Sequence, residues 1–255
     1  MNPGGLVHND WTPMLHPLPI PGLFITGTDT GVGKTVVAGA IAQWFVRRGL
    51  TVAVCKPAAT GCVRRREGLV SEDAELLAYC ADTDVALDVI CPQRFVEPLA
   101  PAVAAERARE PIDWALIDRD FQAIVAQSDC IIVEGVGGIM VPLDRYTLVL
   151  DVARELQLPA VVVARPGLGT ISHTLLTVAA LRDAGVEVAG VVINGYPAET
   201  PDVVEETNPR AIERWGKVAV LCLIPKFTGS AIPKLPADVV AAVEPVAWDE
   251  KSTRE

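Results

Sequence analysis

Nearly unbroken apolar runs alternate with longer amphipathic stretches along the chain. The runs are Leu23-Phe24-Ile25, Thr51-Val52-Ala53-Val54-Cys55, Cys130-Ile131-Ile132-Val133, Ala160 to Ala164, Val188 to Ile193 and Val218 to Ile224. Continuous rather than alternating apolar character fits strands buried on both faces. The spacing between them predicts helices. Val36 to Arg48 puts Ala40, Ile41, Trp44 and Phe45 on one face and stops at Gly49. Ser71 caps a helix beginning Glu72-Asp73-Ala74. Further helices are expected from Ala102 to Arg109, from Ile112 to Ala126 behind Pro111, from Tyr146 to Gln157, from the Gly169 turn to Ala184, and from Leu235 to Val243. Strand and helix in alternation predict an α/β fold: three layers, with a doubly wound, mostly parallel, Rossmann-like sheet. Residues 22–245 are expected to form a single domain. Residues 1–21 are expected to be a mostly disordered extension whose Trp11 and Leu15 can still dock on the domain, and residues 246–255 a polar, fraying tail.

The polar exceptions to this pattern fall where the runs end. Gly27-Thr28-Asp29-Thr30-Gly31-Val32-Gly33-Lys34-Thr35 reads G-x-x-x-x-G-K-T between a strand and a helix, a phosphate-binding loop. Glycines let backbone N–H groups turn inward around an anion, and the helix N-terminus adds free donors and its positive dipole end. Lys34 is placed to reach the β- and γ-phosphates, and the Thr35 hydroxyl to hold Mg²⁺. The second strand runs directly into Lys56-Pro57-Ala58-Ala59-Thr60-Gly61, which aims a lysine at the crevice where ligands bind in wound sheets. Asp73, in a first helical turn, reads either as a dipole-favoured carboxylate or as a Mg²⁺ ligand. A buried run ending in Glu134-Gly135-Val136-Gly137-Gly138 has the form of the acid that orients Mg²⁺ in phosphate-loop enzymes. The turn around Leu168, Gly169 and Thr170 offers N–H groups and hydroxyls to a carboxylate. His173, just beyond, reads as a capping or packing residue. Asn194 has the donors and acceptors to read a base edge.

Composition narrows the partners. A formal charge of −10 over 255 residues, with Arg64-Arg65-Arg66 as the one basic run, argues against nucleic acid. No run reaches the ~18 apolar residues of a membrane span, and residues 1–21 lack a signal peptide's basic and apolar regions. Six scattered cysteines without a C-x-x-C pair speak against zinc and fit reduced thiols in a cytoplasmic protein.

From about Phe24 to Phe227 these motifs, in this order, resemble the ATP-dependent dethiobiotin synthetases, a branch of the P-loop NTPases. The set includes Glu97-Pro98-Leu99-Ala100-Pro101, Leu168-Gly169-Thr170-Ile171-Ser172-His173 and Val192-Ile193-Asn194. The resemblance implies closure of a cyclic urea from 7,8-diaminononanoate, CO₂ and ATP in a homodimer with the site near its interface. It implies Mg²⁺ on Thr35, Asp73 and Glu134, and catalysis by Lys34 and Lys56. It places ATP against Gly31, Val32, Gly33, Val36, Gly135, Val136 and Gly137, and adenine against Asn194, Gly195, Pro225, Lys226 and Phe227. Substrate falls to Thr60, Leu168, Gly169 and Thr170. Gly31 stands where some members carry an acid. Two other readings share the loop. One is a different ATP-dependent amide or ring-forming ligase, which usually carries an added glutamine-hydrolysing domain. The other is a partition or septum-positioning ATPase switch, marked by an early loop lysine where this chain has Thr28.

Overall fold

A computed structural model describes residues 14–16, 18–66, 68–226 and 235–253. In chain order its elements are β1 (Gly22–Gly27), α1 (Lys34–Val46), β2 (Val52–Cys55), β3 (Ala58–Thr60), β4 (Val63–Arg65), β5 (Gly68–Val70), α2 (Glu72–Cys80), α3 (Leu87–Ile90), β6 (Gln93–Phe95), α4 (Pro101–Ala108) and α5 (Trp114–Val125). There follow β7 (Cys130–Gly138), α6 (Val149–Leu156), β8 (Ala160–Ala164), α7 (Thr170–Asp183), β9 (Val188–Tyr196), α8 (Val203–Gly216), β10 (Val220–Pro225), α9 (Ala237–Val243) and α10 (Trp248–Ser252).

Six strands form one sheet in the order β10-β9-β8-β1-β7-β2, and every pairing in it is parallel. Alternate residues of each run go to opposite faces, as a strand's period of two demands. Phe24, Ile131, Val133 and Val162 pack with α5, α6 and α7 in one apolar layer. Leu23, Ile25, Ile132 and Val161 pack with α1, α2 and α9 in the other. The chain leaves β1 toward β2 by way of one layer and leaves β8 toward β9 by way of the other. The crevice between those diverging connections opens at the strand C-termini, where a wound sheet binds ligands.

Several expectations are corrected. The segment before β1 is packed where it is described: Leu15 and Leu18 are buried in the core, and Glu155 accepts from the N–H groups of Met14 and Leu15 at 3.1 Å. Trp11 lies outside the described residues. The third-layer helix after Pro111 begins only at Trp114, because the Asp113 carboxylate accepts from the Leu116 N–H at 2.9 Å and caps it there. As far as Ser252 the C-terminal stretch is packed rather than fraying. Trp248 is fully buried in α10, and its indole N–H donates to the Val243 carbonyl at 2.9 Å. Trp248→Ala is therefore expected to destabilise the protein by ~3–5 kcal/mol, the cost of emptying a large core site. A denaturant melt with an unmoved midpoint would show that this helix does not belong to the cooperative core.

Candidate active site

β1 delivers the phosphate loop, and the Thr28 N–H ties it to the neighbouring strand by donating to the Val163 carbonyl at 2.9 Å. Gly31 and Gly33 take φ of 75° and 90°, left-handed values that favour glycine, and Gly33 is the N-cap of α1. A side chain at Gly33 has no room either: its Cβ would lie 2.0 Å from Nδ2 of Asn194. That amide donates to the Val32 carbonyl at 2.9 Å, so β9 holds the loop from the far side. Lys34 folds back over the loop and donates to the Asp29 carbonyl at 3.1 Å. Burial lowers the pKa of Lys34; Glu134 counters the shift and Lys56 reinforces it.

A buried charge cluster stands beside the loop, where β2, α2 and β7 meet it. Lys56, just past β2, is 3% exposed, and Glu134, in the middle of β7, is 1% exposed. The Lys56 ammonium lies 2.6 Å from Glu134 Oε1 and 2.7 Å from Asp73 Oδ2. Burial disfavours the ammonium, yet the two carboxylates outweigh it and hold the Lys56 pKa above the ordinary lysine value. Burial pushes the Glu134 carboxyl up, with Lys56 opposing. Asp73 also feels burial, but Lys56, Thr35 and Lys34 together bring its pKa below the ordinary range. The Thr35 hydroxyl sits 3.0 Å from both Asp73 Oδ1 and Glu134 Oε1, and its single proton can serve only one of them at a time. Glu134 Oε2 is buried with no hydrogen-bond partner among the described residues.

A cavity of about 430 Å³ opens here, lined by the loop together with Lys56, Thr60, Asp73, Glu134, Val136 and Gly137. Thr60 reaches it because β3 continues from Lys56 and pairs with β6, a short ribbon not read from the sequence. Glu134 lies within a strand that runs on to Gly138 rather than at a strand end. Gly135 belongs there because a Cβ would press on Val149 and Phe24, at 3.1 and 3.2 Å.

Other expected residues do not line this cavity. Asn194 and Gly195 lie near the C-terminal end of β9, with Pro225 ending β10 beside them. One Asn194 amide proton is spent on the phosphate loop, and the buried Oδ1 has no partner among the described residues. Lys226 is exposed, and its N–H donates to the Tyr196 carbonyl at 2.9 Å. Phe227 lies outside the described residues. The Leu168-Gly169-Thr170 turn opens α7 at the end of β8. Leu168 is 84% exposed, Gly169 takes φ 90°, and Thr170 is fully buried with no partner for its Oγ1 among the described residues.

No motif marked Arg165 for a role. Its guanidinium spans from Asp29 Oδ2 of the phosphate loop, at 3.4 Å, to His173 Nδ1 of α7, at 3.3 Å. His173 is thus exposed and paired with Arg165, neither a cap nor a core packer. The cysteines are buried or half-buried, and burial raises the pKa of Cys80, Cys91, Cys130 and Cys222 to about 12. Such thiols are no nucleophiles at neutral pH.

Comparison with known proteins gives the family and the fold. A family model described as an AAA domain matches residues 21–232. The ATP-dependent dethiobiotin synthetase BioD of Thermodesulfovibrio yellowstonii is 39% identical over 214 residues, covering 81% of this chain and 89% of that protein. The BioD of Bacillus velezensis is 41% identical, covering 80% and 86%. Among solved structures, the septum site-determining protein MinD of Pyrococcus horikoshii, complexed with Mg-ADP, aligns with a TM-score of 0.50 at 17% identity over 82% of each chain, a likeness of fold alone. With a wound parallel sheet, a phosphate loop beside a Lys-Glu-Asp-Thr cluster, and relatives matched over four-fifths of its length, the chain belongs to the family of ATP-dependent dethiobiotin synthetases.

Proposed function

We propose that this protein makes dethiobiotin, closing the ureido ring of 7,8-diaminononanoate with CO₂ at the expense of ATP. The observation that carries the reading is the buried Lys56 ammonium, shared by Glu134 and Asp73 next to Thr35 and the phosphate loop. One substrate amine adds CO₂ and loses a proton to give a carbamate. A carbamate oxygen then attacks the γ-phosphorus and ADP departs. The second amine attacks the carbonyl carbon of the resulting mixed anhydride, loses a proton and expels phosphate.

Two anions, carbamate and γ-phosphate, must meet in line, so the protein's task is positioning and neutralisation. Lys34 and the loop N–H groups hold the phosphates. Lys56, kept charged by its two acids, faces the charge that develops on the transferring phosphoryl group. Thr60 lines the same cavity and is assigned to the substrate.

The donor set suits Mg²⁺. Thr35, Asp73 and Glu134 offer oxygen only, and Glu134 Oε2 is a buried acceptor without a donor. No group of three His, Cys, Asp or Glu side chains gathers among the described residues, as fits an ion held by one or two carboxylates and the nucleotide's phosphates. Held by those residues, Mg²⁺ would supply Lewis-acid neutralisation of the nucleotide's phosphate charge.

For the substrate's carboxylate we assign the start of α7. Neither the Leu168 nor the Gly169 N–H has an acceptor among the described residues, and the buried Thr170 hydroxyl is likewise unpartnered. Adenine is assigned to Asn194 Oδ1, Gly195 and the Pro225-Lys226-Phe227 segment. Exposed Leu168, in the turn before α7, and exposed Leu176, on α7, offer apolar side chains to a two-fold homodimer contact near the site. No described helix is long and apolar enough to cross a membrane, and we place the enzyme in the cytoplasm.

Incubation with diaminononanoate, bicarbonate, ATP and Mg²⁺ is expected to yield the cyclic urea by mass and one phosphate per ring, and excess EDTA to stop both. ATP hydrolysis without the cyclic product would refute the assignment and favour a switch ATPase.

A further inference from the structure

One buried polar side chain stands apart from this chemistry. Asn208 lies on α8, is 3% exposed, and does not touch the nucleotide cavity. Its amide Nδ2 lies 2.6 Å from the Pro166 carbonyl and 3.3 Å from the Gly167 carbonyl. Both carbonyls belong to the turn between β8 and α7. Burying an amide is unfavourable unless its hydrogen bonds are made, and here they are made to consecutive backbone acceptors of one loop.

The consequence is directional. The carbonyl and the N–H of one trans peptide point to opposite sides, so a Gly167 carbonyl held toward α8 turns the Leu168 N–H away from it. Asn208 draws the carbonyls of residues 166 and 167 toward α8, and the Thr170 N–H donates to Gly167 as well, at 3.2 Å. The N–H groups of Leu168 and Gly169 are left with no acceptor among the described residues. Gly169, in its left-handed conformation, turns the chain from this loop into α7. The adjoining Arg165 guanidinium, whose Nη2 lies 3.7 Å from where a Gly169 Cβ would stand, fixes the near side of the turn against Asp29.

We infer that Asn208 is a positioning residue for substrate recognition: by holding the carbonyls of residues 166–167 from behind, it pre-orients the free N–H groups of residues 168–169 for the substrate's carboxylate. The inference rests on the seat assigned to that carboxylate above. It places a specificity determinant on a helix remote from the chemistry. The device lowers the ordering cost of binding and leaves the phosphoryl-transfer step alone.

Asn208→Ala and the near-isosteric Asn208→Leu, which fills the same space but cannot donate a hydrogen bond, separate hydrogen bonding from packing. Both are expected to raise KM for diaminononanoate about tenfold, the worth of one to two hydrogen bonds, with KM for ATP and kcat within about twofold. Amide exchange at residues 168–171 is expected to quicken in both. The corresponding diamine without a carboxylate is expected to be used equally well by the variants and the parent enzyme. Unchanged amide exchange in the two variants would overturn the inference. Quickened exchange with unmoved KM for diaminononanoate would instead overturn the carboxylate seat itself and, with it, the role given to Asn208. A fall in kcat, with both KM values unchanged, would also overturn it.

Discussion

Lys56→Ala is expected to lower kcat at least ~100-fold, the scale of losing one preorganised charge at a transition state. KM for ATP should change far less, because Lys34 and the loop N–H groups remain in place. The substitution also leaves Glu134 buried without its counter-ion. Removing one partner of a buried pair costs ~3–5 kcal/mol when the other stays charged. Glu134 can escape that cost by taking up a proton, since burial already pushes its pKa above the ordinary value and Lys56 is the main force against it. A carboxyl whose folded pKa is raised binds its proton more tightly in the folded state, so its stabilising effect is present below the unfolded value and is lost as pH rises through the folded one. Relative to the parent enzyme, Lys56→Ala should therefore be less destabilised near pH 5 than near pH 8. Steady-state kinetics with denaturant melts at the two pH values checks both statements. Full turnover would remove Lys56 from the chemistry. A stability gap independent of pH would mean that Glu134 stays ionised without its partner.

The parts of this site that were legible in the sequence are those built by local rules. A G-x-x-x-x-G-K-T run after three apolar residues can only do its work as strand, loop and helix, and it appears so, with the helix starting at Lys34 rather than Val36. Lys56 and Glu134 were visible because each comes directly after a continuous apolar run, and buried strands carry their next residues to one rim. What escaped was set by contacts distant in sequence. α8 gave no clear signal: Pro209 lies inside it and reads as a helix breaker, and its N-terminal capping by Asp202 and Glu205 is written in residues that also suit a loop. With α8 unseen, Asn208 had no reason to matter. The short β3–β6 ribbon escaped because three-residue strands carry too little periodicity to recognise. Trp248 was hidden by its polar neighbours, since a single large apolar residue can anchor a segment that averages as polar. Asn194 was correctly placed on the rim, but its Nδ2 proved to hold Val32, a partner 162 positions away that no local pattern could name.

Gly33→Ala is expected to weaken nucleotide binding about 100-fold, and Gly31→Ala less than tenfold, although both glycines belong to the same loop. At φ 75° and 90° an L-residue at either position incurs the left-handed strain of ~1–2 kcal/mol. The difference lies in what a Cβ meets. At Gly31 nothing stands within 4 Å, so the strain is the whole effect. At Gly33 the added methyl lands 2.0 Å from Asn194 Nδ2. Asn194 can swing aside only by giving up its bond to the Val32 carbonyl, which frees the loop from β9 and costs roughly another 1 kcal/mol. If Asn194 stays, the loop itself must shift, and its N–H groups no longer converge on the phosphates. The two effects are coupled through one side chain, so they should be non-additive. In the background of Asn194→Ala, where the obstacle is already gone, Gly33→Ala should weaken ADP binding only about as much as Gly31→Ala does. Titration calorimetry with Mg-ADP on the three single variants and the double variant measures this cycle. Equal losses for the two glycine variants would show that backbone conformation alone governs the loop, and that the Asn194 contact contributes nothing to its shape.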